Sequence, residues 1–440
     1  MRKALDSTIE MALPNEEIEI FNGILEMNGK SQFGRVYHQW FPFDQTRISV
    51  PNFSGDIFNL IGLTVEVTFG DNIKGDFFIS SINEGESRFV SGILNSILIK
   101  KEILNEKFIK FLDFNLINFR PYFGSVFEYK PKSYITGELE FIAENCNVLI
   151  QSRFSIENSK KLLTDKGGFL ITHNGRINFK KSMSSENIGF YLKRLSTFLS
   201  FLNGRRCGPR FIEALTHDGQ TIIKDYTLYF CDPYKYVQSW MPFNLDNNFF
   251  DLWSSFLQLT RDEDDFERID LIIHWYLEAL NNSGFVNGSI ILLQNSFEIL
   301  FSWLAQEKKL VKKIGKDDNQ KKWASNKIRS LFSHYGIPFI LPPDYNHFFE
   351  KFDISNNEDF AYVFTLIRNA FVHFSEEKKL DLKKLDNYHW HLLNTGIFYF
   401  EILLLRILGY EGKIRSRILK SGYSGERQVS ILNPFLEIPS

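Results

Sequence analysis

Residues 358–373 read EDFAYVFTLIRNAFVH, an apolar stretch carrying an arginine, an asparagine and a closing histidine. Laid out at 100° per residue, Phe360, Phe364, Ile367 and Phe371 fall within about 60° of one another, which predicts a helix with a single core face. Arg368 lies near the edge of that face. Asn369 and His373 lie together on the opposite side, one turn apart as an i, i+4 pair. A histidine that ends an apolar helix on its outward face is either plain surface or part of a site completed by something packed against it.

The same helical character extends over the C-terminal part of the chain. RDEDDFERID, from Arg261, places acidic residues at the positive end of a helix dipole, and IDLIIHWYLEALNNSG continues that helix to a glycine stop. A second helix is expected over about 286–310, with Ile290, Leu293, Phe297, Leu300, Phe301 and Leu304 on one face, and others at 321–334, 358–373 and 386–410. The intervening KKLVKKIGKDDNQKK reads as a solvated basic loop. Toward the N-terminus the period changes. Between about residues 16 and 155, EIEIFNGILE, LIGLTVEVTFG, FFISSI, FVSGILNSILI and ITGELEFIAE alternate or run apolar between Gly, Asn and Asp breaks, as strands do. One helix, 187–203, interrupts them with Phe190, Leu192, Leu195, Phe198, Leu199 and Leu202 at helical spacing before Gly204. RFIEAL and QTIIKDYTLYF then return to strand. The expected fold is α+β: a mainly β domain over 1–235, a connecting segment over 236–261, an all-α bundle over 262–412 and a tail over 413–440.

Bulk composition narrows the classes. A chain of 440 residues that is 44% hydrophobic supports more than one core. With 51 Lys plus Arg against 53 Asp plus Glu there is no global field to gather nucleic acid or anionic membrane, so any RNA contact must be local. The three cysteines, Cys146, Cys207 and Cys231, fit neither a disulfide framework nor a C-x-x-C metal site and point to a reducing cytoplasm. The N-terminus lacks a signal-peptide apolar run and no stretch reaches 18 apolar residues, so no membrane association is expected. The 45 phenylalanines reflect codon bias rather than chemistry.

The run R-N-x-x-x-H from Arg368 to His373, near the end of the penultimate helix of an all-α bundle, resembles the signature of HEPN nucleases. The wider layout, a β-rich region followed by the WYLEALN and LLQNSFEILF helices, LIRNAFVHF and a long last helix, resembles ApeA-type HEPN proteins of bacterial phage defence. The resemblance implies a HEPN-like helical ribonuclease domain behind an N-terminal sensing domain. It also implies a homodimer through that bundle, with two motif helices facing across a cleft, RNA as substrate, and a phage-derived trigger. Attack by a ribose 2′-OH on the adjacent phosphate needs a base, an acid for the leaving oxygen, and positive charge on the crowded phosphate. His373 suits the first two roles, Arg368 the third, and Asn369 the orientation of either. No cofactor or metal is called for. DNA, lacking the 2′-OH, would be inert.

Other residues compete for attention. Arg329 and His334 in KIRSLFSHYGIP repeat the spacing but precede a Gly and Pro break and lack a polar residue like Asn369. Glu298, in NSFEILF, is placed to pair with Arg368 or to sit solvated on its helix. His389 and His391 are two apart and face different sides, making them poor metal partners. His274 reads as a semi-buried structural histidine, and Arg205, Arg206 and Arg210 in NGRRCGPR as a basic turn ending a helix, or a phosphate loop. The leading reading is a metal-independent endoribonuclease of tRNA or mRNA acting in abortive infection. The alternative is a non-catalytic sensor whose helical domain only dimerises.

Overall fold

A computed structural model describes residues 13–54, 59–70, 73–83, 88–95, 98–100, 109–122, 126–129, 132–135, 137–226, 229–242, 245, 247–282, 284–317, 319–320, 323–341, 359–372, 388–418 and 428–435. The chain is α+β and divides into two compact units, one of residues 1–199 with 206–236 and one of 200–205 with 237–440.

In the first unit, β1 (Ile18–Met27), β2 (Lys30–Gln39), β3 (Gln45–Pro51), β4 (Thr64–Phe69), β5 (Ile73–Asn83) and β6 (Phe89–Leu94) pair antiparallel in the order β5-β4-β1-β2-β3-β6. β6 returns to β5 and closes a barrel. Alternation builds it: in β4, Val65, Val67 and Phe69 are buried while Glu66 is exposed. The β1–β2 hairpin turns on Asn28 and Gly29, both at positive φ (51° and 70°), the left-handed pair that matches the twist of a tight hairpin. Barrel closure removes the exposed edges that so many short strands would otherwise present.

The short β7 (Leu98–Lys100) pairs on one side with β5 and on the other with β15 (Thr221–Asp225). Through it the barrel's ladder continues into an antiparallel sheet ordered β11 (Glu138–Ile142), β12 (Cys146–Ser152), β13 (Ile171–Met183), β8 (Ile109–Ile117), β14 (Pro209–Leu215), β15. β9 (Val126–Tyr129) and β10 (Lys132–Ile135) form a separate hairpin. α1 (Ile156–Lys166) begins at Ser155, whose side chain accepts from the Asn158 N–H. α2 (Ile188–Asn203) packs its apolar face on the sheet, Phe198 edge-on to Phe141 at 5.2 Å and Tyr191 to Phe179 at 5.0 Å. Gly204, at φ 72°, ends it with its N–H on the Ser200 carbonyl.

The second unit is helical. Its helices are α3 (Asn247–Leu259), α4 (Glu263–Leu280), α5 (Phe285–Phe301), α6 (Ala324–His334), α7 (Phe360–Val372) and α8 (Tyr388–Ile407), followed by the hairpin β16 (Lys413–Arg415) and β17 (Gln428–Ser430). The acidic start of α4 is an N-cap: Asp262 accepts from the Asp264 N–H at 2.9 Å. α5 packs against α4, α6, α7 and α8. Together with its continuation to Glu307 it is long and apolar enough to cross a bilayer, yet 61% of its most apolar window is buried inside the protein, as a central bundle helix requires.

Several boundaries differ from expectation. The expected connecting segment, 236–261, contains a helix: α3 occupies 247–259 with Phe249, Leu252, Trp253 and Phe256 buried at i, i+3, i+4, i+7 spacing. The tail after 413 packs into the second unit, with Ile414, Val429 and Ile431 buried. The helix expected over 286–310 is α-helical only to Phe301 and continues as a π turn over Ser302–Glu307, a widening that keeps Trp303 and Leu304 buried. The strand region is broken by α1 as well as α2, since Ser155, Glu157 and Lys166 supply a cap and dipole partners that outweigh the scant apolar face of IENSKKLLTDK.

Candidate functional site

Aromatic packing brings α5, α6 and α7 together. Phe297 of α5 lies 5.9 Å from Phe332 of α6 and 6.1 Å from Phe364 of α7, and Phe332 stacks on Phe360 at 6.1 Å. α8 can press against this group because Gly396 has no side chain: a Cβ there would meet Phe364 at 2.8 Å and Leu293 at 3.0 Å. The core face predicted for α7 is seen, with Phe360, Phe364 and Ile367 buried, although Phe371 near its end is only half-buried.

On the rim of this core, Arg368 and Asn369 of α7, Glu298 and Gln294 of α5, and Lys327 of α6 form one polar group. Arg368 is half-buried. Its Nη1 donates to Asn369 Oδ1 at 3.2 Å, and its Nε is buried without a partner among the described residues. Glu298 accepts from Gln294 Nε2 on Oε1 and from Lys327 Nζ on Oε2, each at 3.0 Å. Burial alone would raise the Glu298 pKa. Hydrogen bonds from Gln294 and Lys327, and the charges of Lys327 and Arg368, outweigh it and hold the carboxyl below its ordinary value. The charge of Arg368 thus reaches Glu298, but the carboxylate's hydrogen-bonded cationic partner is Lys327. Lys327 is paired with the carboxylate directly, while Arg368 acts on it only through its charge.

His373 lies outside the described residues. The competing pair is accounted for: Arg329 donates Nε to Asp359 Oδ2 at 2.7 Å, Nη2 to Asp359 Oδ1 at 3.1 Å and Nη1 to Asn326 at 2.7 Å, while His334 is exposed and rests on Tyr335. Asp359 also caps α7 by accepting the Tyr362 N–H, so Arg329 is tied to holding a helix end. His391 is exposed, His389 half-buried, and His274 half-buried beside Trp275. Among the described residues no group of three His, Cys, Asp or Glu side chains is arranged to hold a metal.

The basic turn NGRRCGPR is not a phosphate loop. Arg205 and Arg210 are buried, and Arg206 pairs with Asp232 at 3.2 Å. Arg210 instead belongs to a cluster in the first unit that the sequence did not disclose. Asp44, in the connection between β2 and β3, is salt-bridged to Arg210 of β14 and lies 3.0 Å from Nε2 of His38, whose Nδ1 is 3.2 Å from the Thr46 hydroxyl. Trp40 and Phe211 close over the His38 ring, and its burial depresses the imidazole pKa more than the nearby Asp44 raises it. The cluster joins residues 166 positions apart in sequence, so no local spacing could have revealed it. Lys327 was likewise missed, although its place two residues before Arg329 in NKIR was visible.

With this geometry in view, comparison with known proteins is informative about kinship. Residues 262–428 match the family model described as the YopA C-terminal domain, and residues 105–237 match the YopA central domain. The chain is similar to YopA. A SPbeta prophage-derived protein YopA of Bacillus subtilis (strain 168) is 26% identical over 358 residues, covering 79% of this chain and 77% of that protein. No solved structure matches. The model for the C-terminal domain spans α4 to α8, and therefore the whole polar rim, while the central-domain model spans the open sheet and leaves the barrel outside.

Proposed function

We propose that the helical unit is a metal-independent endoribonuclease of the HEPN type, with Arg368 and His373 as its catalytic pair and Asn369 as the residue that orients them. What supports the reading most is the state of Arg368. Its guanidinium is held in place by the adjoining Asn369, and among the described residues it is neither neutralised by a hydrogen-bonded carboxylate nor given a partner for its buried Nε. An arginine left this way at a helix rim is suited to receive a phosphate; Arg329, with its three nitrogens engaged, is not.

In this reading His373 takes the proton from the ribose 2′-OH as that oxygen attacks phosphorus. The P–O5′ bond breaks, a proton is returned to the departing 5′-oxygen, and Arg368 balances the charge gathering on the phosphoryl oxygens. The products are a 2′,3′-cyclic phosphate and a 5′-hydroxyl. A two-fold dimer of motif helices supplies a second arginine and histidine around the same phosphate, an arrangement that symmetry makes self-consistent. The first unit is the sensing part of the proposal, with a phage-derived trigger; the prophage origin of the similar Bacillus protein is in keeping with a role in conflict between phage and host.

The test is incubation of the full-length protein with total RNA in EDTA. Wild type and His334→Ala are expected to cleave and leave cyclic-phosphate ends, and Arg368→Ala and His373→Ala to lose at least a hundredfold in rate, within the ~10²–10⁴ range of a general acid–base group. Arg329→Ala is unsuited as a control, because it would release the start of α7. Equal cleavage by all four proteins would assign the activity to a contaminant, and cleavage by none would favour a binding protein whose helical unit only dimerises.

A further inference from the structure

The contact between Lys327 and Glu298 looks at first like an ordinary tie between α6 and α5. Two features set it apart. The carboxylate it engages also lies in the field of Arg368, on a third helix. Both partners keep a path to solvent, the Lys327 side chain being 21% exposed and Glu298 33%, while the arginine Nε beside them lacks a hydrogen-bond acceptor among the described residues. Lys327, Arg368 and Glu298 together carry two positive charges against one negative.

We propose that Lys327 binds the phosphate next to the one held by Arg368 and that Glu298 is the resident counter-ion of the lysine, displaced from it when single-stranded RNA enters. The inference rests on the ribonuclease reading for the identity of the ligand. Arg368 grips the phosphate at which cleavage occurs, and Lys327, one helix away, takes a neighbouring phosphate of the same strand. Its role is binding and placement of the strand, with no proton transfer. A lysine suits this because a compact ammonium on a flexible stem can exchange one oxygen partner for another, whereas a forked guanidinium is committed by its geometry. Gln294, which donates to the other carboxylate oxygen, remains to hold Glu298 once Lys327 has left it.

The experiment measures binding of a fluorescein-labelled twelve-nucleotide uridine RNA to full-length His373→Ala protein, which leaves the strand intact, over a series of salt concentrations. For a single strand, the slope of log K against log salt is shallower by about 0.7 for every phosphate that the protein no longer neutralises. Adding Lys327→Ala is expected to lower the slope by about that amount, and Lys327→Arg to restore it. Glu298→Gln is expected to tighten binding severalfold at low salt, since it removes the competing anion. An unchanged slope in Lys327→Ala, or weaker binding in Glu298→Gln, would overturn the inference and return the pair to an interhelical tie. Melting temperatures of the same proteins separate loss of binding from loss of fold. If the salt pattern holds while wild-type protein cleaves nothing, the subsite stands and the enzymatic reading falls. If cleavage depends on Arg368 and His373 but the slope ignores Lys327, the reverse is true. Absence of RNA binding in every variant would overturn both.

Discussion

His173 is closed within the first unit, stacked on Tyr122 at 5.2 Å and edge-on to Phe119, with Nδ1 2.9 Å from the Thr172 hydroxyl and Nε2 unpaired among the described residues. Burial alone pushes its pKa down to about 3 from 6.5. The folded protein therefore excludes a proton that the unfolded chain accepts. This contribution to stability is complete above the unfolded value of 6.5 and drains away as the pH falls toward 3, by up to ~1.4 kcal/mol per pH unit. His38, depressed in the same direction, adds to the loss over the upper part of that window. His173→Phe keeps a flat ring in the aromatic cage and removes the titration, so its melting temperature is expected to fall less between pH 6.5 and 4 than that of the wild type. Equal declines would show that the ring is already hydrated. Neither histidine announces itself in sequence. The helical phase of Arg368 and Asn369 was legible because a turn of helix is local. The closeness of Asp44 to Arg210 and of Lys327 to Glu298 was not, because each is created by packing between segments far apart in the chain.

The start of α7 is held in part by one acidic side chain. Asp359 receives the Tyr362 N–H at 2.9 Å and both forks of Arg329, so one carboxylate closes the helix end and fastens it to α6. Asp359→Ala is expected to cost about 1–2 kcal/mol in urea unfolding, the range for loss of an N-cap, and Asp359→Asn, which still accepts the Tyr362 N–H, to cost less. Equal losses in the two variants would place the energy in the arginine pair instead. At this scale the sequence was most readable where periodicity and punctuation agreed: Asp262 before α4, Gly204 after α2, and the apolar stripe of α5. It was less readable where signals conflicted: the residues of α3 carry an amphipathic stripe, but prolines and aromatics, which suit a connection, stand just before it. The π turn after Phe301 keeps the helical pattern of its residues and leaves no local mark by which a reader could tell it from α-helix.

Across the second unit, the chain after α8 is anchored through a charge in the core. Glu401 and Arg417 are almost wholly buried; Arg417 donates Nε to Glu401 Oε2 at 2.8 Å and Nη2 to Oε1 at 2.6 Å, the Tyr276 hydroxyl donates to the same carboxylate at 2.6 Å, and Arg417 also reaches the Gln238 carbonyl. Arg417→Ala would strand a buried carboxylate and is expected to cost about 3–5 kcal/mol in chemical unfolding. Pairing Glu401→Leu with Arg417→Met should recover most of it, and a double variant no better than the single would show that the network's shape, rather than its charge, is what the core requires. Across the first unit, β7 is hydrogen-bonded along both edges, to β5 in the barrel and to β15 in the open sheet. Strands joined in this way cannot twist independently. A twist imposed on the barrel would therefore pass in part to the open sheet through the three residues of β7.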